Sequence, residues 1–192
     1  MKKILLVGSI LISIIAIIIA IIVYNHVSIR ISDNEVLFYK SSQFCSSLIQ
    51  QDMKSPASYQ VQEINVIYKK GSDDELKERI PKKNYNLFKL DYEQGKLSLY
   101  NFYTLIKYSA KNSFDVKLEN YALCEFSVIH AKNYGFYSPR LDALTIGHER
   151  HVGADLLILF PKSINPPELN KFSFWEKLTY LFDKNNFSII SE

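Results

Sequence analysis

The sequence predicts an α+β protein: one N-terminal transmembrane helix, then a helix packed on an antiparallel sheet of about four or more strands, and a short C-terminal amphipathic helix. Three observations predict it. An unbroken apolar run extends from Ile4 to Val23; the spacing of apolar residues changes from helical to alternating near Gln60; and Phe172, Trp175, Leu178, Thr179 and Phe182 return to helical spacing near the end.

The apolar run comes first. It has about 20 residues, which at roughly 1.5 Å each span about 30 Å, the thickness of a bilayer's hydrocarbon core. Its polar residues are Ser9 and Ser13, and a helix satisfies its own backbone polar groups in lipid. Lys2 and Lys3 crowd the start, which by the positive-inside rule puts the amino terminus in the cytoplasm and everything from Val27 outside it. A cleaved signal peptide is the rival reading. Signal cores run about 7–15 residues and end at a small-x-small site, whereas this run is longer and Val23–Ser28 offers no such site. The chain thus divides into a cytoplasmic tip and anchor (1–26), an exported domain (27–160), and a Pro-containing linker with a C-terminal helix (161–192).

Ser32-Asp33-Asn34-Glu35 has the form of a capping box. The helix it opens, Val36 to Met53, carries Leu37, Ser41, Phe44, Leu48 and Ile49 on one face with Cys45 beside them, and Pro56 stops it. From Gln60 the alternation of Ile64, Val66 and Tyr68 predicts a strand ending at Gly71. Ser72-Asp73-Asp74-Glu75 is a second capping box, before a short helix at Asp74–Arg79 within a surface excursion, 71–84. Tyr85–Glu93 and Lys96–Ala110 read as two strands joined at Gln94-Gly95, and Val116–Val128 as the clearest strand of all. Its Val116, Leu118, Ala122, Cys124, Phe126 and Val128 share one face, opposed by Lys117, Glu119, Glu125 and Ser127. Leu141–His148 and Ala154–Phe160 read as a last pair of strands, followed by a linker marked by Pro161, Pro166 and Pro167 and a helix preceded by Asn170.

Cys45 on the helix and Cys124 on the inward face of a strand are placed to meet. An even cysteine count in an oxidising compartment reads first as a disulfide, here a staple of helix to sheet, with two buried free thiols as the alternative.

Composition excludes several functions. Net charge is +3, of which Lys2 and Lys3 supply two, so the exported part is close to neutral. Its basic residues are scattered, which argues against nucleic acid as a partner. With 6 glycines and neither nucleotide-binding glycine motif, the chain lacks material for phosphate-cradling loops. Gly147-His148-Glu149-Arg150-His151 is one residue short of the H-E-x-x-H pattern that puts two imidazoles on one helix face, so a solvated turn or strand end is the expectation there. His130 reads as a rim residue, and no G-x-S-x-G elbow occurs. No catalytic residue, metal site or cofactor is expected.

Leu48–Tyr59, a helix ending in a Lys54-Ser55-Pro56-Ala57-Ser58 turn before a strand, and Ala110-Lys111-Asn112-Ser113-Phe114 followed by a strand with Cys124-Glu125-Phe126, form a recurring pair of segments. The pair resembles small exported or membrane-anchored bacterial proteins of unassigned function. The resemblance covers well under half of the exported part, and it implies an α+β fold in the bacterial envelope and no particular activity. In that pattern a glycine follows the Asn-x-Phe turn, where this chain has Asp115. The architecture is also similar to pilin-like and secretion-channel subunits, although the glutamate expected early in a pilin helix is absent.

The expectation is therefore a single-pass protein of the bacterial inner membrane that meets lipid through its N-terminal helix. Its periplasmic domain is a noncatalytic module binding another envelope protein, in a secretion or surface-assembly complex or as a toxin-immunity protein. Tyr134, Phe136, Tyr137, Phe172, Phe174 and Trp175 are the candidate contact residues, with ordinary core as their other reading. The alternative function is an envelope hydrolase or metal-dependent enzyme using His148, Glu149 or His151.

Overall fold

The computed structural model describes residues 2–53, 55–80, 85–112, 114–132, 135–136, 139–161 and 172–191. Helix α1 runs through Lys2–Arg30, and after a break at Ile31-Ser32 helix α2 occupies Asp33–Asp52. The Ser32 capping box forms as expected: the Ser32 hydroxyl accepts from the Glu35 amide, and the Glu35 carboxylate accepts from the Ser32 amide. Seven strands follow: β1 (Gln60–Lys70), β2 (Leu97–Lys111), β3 (Lys117–Ala131), β4 (Gly135–Phe136), β5 (Arg140–Ile146), β6 (Glu149–Val152) and β7 (Phe187–Ser191). Four further helices intervene: α3 (Asp73–Arg79), α4 (Tyr85–Glu93), α5 (Gly153–Leu159) and α6 (Phe174–Asp183).

The strands build one sheet in the order β6-β5-β3-β2-β1-β7, with β4 also paired to β3. Its centre is antiparallel, but β7 joins β1 in parallel, Ile64 beside Phe187 and Tyr68 beside Ser191. The sheet is therefore mixed. α2 lies across one face, where Leu37, Phe38, Cys45, Leu48 and Ile49 close on Val66, Phe102, Ile106, Ala122, Cys124, Phe126 and Leu144. A smaller core on the opposite face, at one end, packs Leu76 and Ile80 against Leu97, Leu99 and Ala131, with Phe88 and Tyr92 of α4 alongside. The disulfide joins Cys45 to Cys124, with Cα atoms 6.1 Å apart, and both residues are fully buried.

Three expectations are corrected. Among the described residues no helix is long and apolar enough to cross a membrane, which overturns the transmembrane helix. The chain at the end of α1 belongs to the domain: Val27 and Ile31 are buried with Val36, Tyr39 and Tyr180. Second, Tyr85–Glu93 is helix α4 and not a strand. Gly95, at φ 62°, closes it as a helix cap: Gly95 N–H bonds Tyr92 O and Lys96 N–H bonds Asp91 O, the paired bonds of a Schellman motif. Third, Ala154–Phe160 is largely helix α5. Leu156 and Phe160, four apart, are buried while Leu157, Ile158 and Leu159 point outward.

The β2–β3 turn is built around Asn112 and Asp115. Asn112 Oδ1 accepts from the amides of Phe114 and Val116, and Asp115 sits at φ 62°, a conformation that suits glycine. Asp115→Gly should raise stability by about 0.5 kcal/mol, since a left-handed backbone costs an L-residue roughly 1–2 kcal/mol and aspartate relieves part of it. A thermal melt checks this, and an unchanged or lower midpoint counts against it.

Candidate interaction surface

The sequence-predicted contact residues fall into two groups. Phe136 pairs through its backbone with His130 at the end of β3, and Tyr134 and Tyr137 lie outside the described residues. Phe172, Phe174 and Trp175 gather at the start of α6. Ser173 caps this helix, accepting from the Glu176 amide in a third capping box, and Asn170, expected there, lies outside the described residues.

Polar contacts fix α6 against the α1–α2 junction. Lys177 Nζ donates to Ile31 O at 3.1 Å and pairs with Asp33 at 2.8 Å. Lys40 pairs with Glu176 and stands 5.5 Å from the Phe172 ring centre. The hydrogen bond from Lys40 holds the Glu176 carboxyl below its ordinary pKa, with burial opposing it and the Ser173 backbone assisting. Tyr39 donates to Asp183 at 2.6 Å, and burial, reinforced by that carboxylate, pushes the phenol well above its ordinary pKa. Burial likewise pushes Tyr180 up to about 12, helped by Glu35.

So held, α6 turns Phe174 onto Tyr24 of α1, ring centres 5.3 Å apart with planes inclined by 29°, while Trp175 meets Phe174 edge-on at 5.5 Å. Between the two helices lies an apolar groove of about 810 Å³, lined on the α1 side by Ala16, Ile17, Ala20 and Tyr24 and on the α6 side by Trp175 and Leu178. Trp175 is 71% exposed at its rim. Sequence reasoning found the α6 half of this surface and missed the α1 half. The isoleucines from Ile12 to Ile22, Ile17 of the groove among them, are all between 49% and 70% exposed, and successive positions point in every direction round the helix.

The residues of the enzymatic alternative lie on the β5–β6 hairpin. Gly147 and His148 form a two-residue hairpin turn, Gly147 at φ 60° as the first position of a type II′ turn requires. His148 and Glu149 are exposed, whereas His151 lies against Phe160 at 5.5 Å. His130 is half-buried beside Tyr100, and burial lowers its pKa. Among the described residues no three His, Cys, Asp or Glu side chains are grouped to hold a metal ion. Comparison with protein families, curated proteins and solved structures finds no match for this chain.

Proposed function

We propose that this protein is a noncatalytic binding module of the bacterial envelope, which meets lipid along the apolar surface of α1 and binds another envelope protein at the α1–α6 groove. The observation that carries this reading is the groove itself: an open, largely apolar groove with a solvent-facing tryptophan at its edge. Aromatic side chains of this kind supply much of the energy of protein interfaces, and a helix of the partner suits a channel bounded by two helices. The exposed isoleucines of α1 offer an apolar surface for lipid contact. A buried disulfide fits an oxidising compartment outside the cytoplasm. Whether the setting is a secretion or surface-assembly complex or toxin immunity depends on the partner's identity.

The test is crosslinking in intact cells with mass spectrometry of what co-purifies. Trp175→Ala should lower recovery of the partner several-fold while circular dichroism and thermal midpoint stay unchanged, because an exposed side chain contributes little to folding, within about 0.5 kcal/mol. Unaltered recovery, or loss of fold, sinks the groove as the binding site.

A further inference from the structure

The long β2–β3 hairpin outruns its neighbours. β1 pairs with β2 only as far as Ser109, and β5 pairs with β3 only from Ala122 onward. Gly147 N–H bonds Tyr121 O at 3.1 Å, and the Tyr121 amide, without a strand beside it, bonds its neighbour's side chain, Asn120 Oδ1, at 2.8 Å. Both Tyr121 groups thus point away from β2. By the alternation of an antiparallel ladder, the N–H and C=O of Lys117 and Glu119 point the same way, and among the described residues no strand pairs with them.

Beside this open edge is a hollow of about 240 Å³ lined by Met53, Tyr108, Ala110 and Leu118 together with the polar Lys111, Asn112 and Asn120. Leu118 and Asn120 face it because alternate residues of β3 share a side. Val116 and Leu118 are about half exposed and Phe114 is 83% exposed, unusual for apolar residues at a polar hairpin tip. The place is also remote from α1. α2 begins beside α1 and ends at Met53 in the hollow, and its 20 residues put about 30 Å between the two ends.

We infer that the β3 edge at Lys117–Asn120 takes up an extended segment of another protein as an added strand, with an apolar side chain of that segment entering the Met53–Tyr108–Leu118 hollow. Unpaired, outward main-chain donors and acceptors are matched by another extended backbone, and the adjoining hollow selects its side chain. This second surface stands at the far end of the domain from the α1–α6 groove and does not depend on it.

The test uses the full oxidised chain and a displayed library of random eight-residue peptides. Enriched peptides should carry apolar residues at alternate positions. Their binding should fall at least tenfold with Leu118→Asp, which fills the hollow with charge, and with Glu119→Pro, which removes an edge donor that the β2 ladder does not use. Hydrogen exchange of the Lys117 and Glu119 amides should slow when peptide is bound, a readout that no general unfolding imitates. Trp175→Ala should leave peptide binding unchanged. No enrichment, equal binding by both edge variants when each is folded by circular dichroism, or concentration-dependent pairing of the chain with itself through this edge would overturn the proposal.

Discussion

Replacing both cysteines, Cys45→Ala with Cys124→Ala, should cost about 4.5 kcal/mol of stability. The bridge closes a loop of 79 residues, and loop-closure entropy in the unfolded chain scales with the logarithm of that length. It is also the covalent tie between α2 and the central strand of the sheet, two elements that otherwise hold together by apolar contact alone. Urea unfolding of the oxidised chain and the double variant, followed by circular dichroism, measures the difference. Half of the effect or less would mean that α2 stays docked in the unfolded ensemble or that the bridge strains the native one. Against a total stability of about 5–15 kcal/mol for a domain of this kind, the full effect is between about a third and nearly all of it.

Phe102→Ala should cost about 4 kcal/mol. Phe102 is fully buried at the middle of β2 and lies 4.9 Å from Phe126, the rings nearly parallel, and 5.0 Å from Phe38 of α2. Truncation removes the ring's burial and leaves a cavity whose walls are a strand on each side and a disulfide-tied helix above, so they cannot collapse inward. The same urea titration reads the loss. A cost under about 2 kcal/mol would show that α2 resettles on the sheet. Because Phe102 and the disulfide fasten the same helix, the two losses should not simply add in the triple variant.

Those two effects rest on elements that were plain in the sequence, and the reason is local. α2 announces itself by Ser32 and Glu35 and by its apolar stripe. The strict alternation from Ala122 to Val128 put Cys124 on the inner face, so the disulfide was visible as a meeting of two faces. The errors arose where local pattern was ambiguous. Tyr85–Glu93 has apolar residues at both alternate and fourfold spacing, and only the packing of Phe88 and Tyr92 against the Leu97–Leu99 end of the sheet decides for helix. In Ala154–Phe160 a run of leucines and isoleucine looked like a buried strand, although just Leu156 and Phe160 face inward.

The remaining omissions concern long separations. β7 pairs in parallel with a strand more than a hundred residues earlier, a connection without a turn signature. Tyr24 and Phe174 make the groove together although 150 positions divide them. That is why Trp175 could be named as a contact residue from its context while its partner surface on α1 could not. The β3 edge was hidden for a related reason: exposure of Leu118 follows from where β1 and β5 stop, and the alternation of β3 itself gives no sign of it.

The clamp on α1 has a consequence for the life of the nascent chain. Lys177 and Phe174, which fix the first helix, and β7, which pairs with β1, all follow Cys124 by about 50 residues or more in the chain. Cys45 and Cys124 are both available well before then. The chain can therefore oxidise and condense its central sheet before α6 and β7 emerge, and the direction of the first helix is set only once Phe174 and Lys177 are in place.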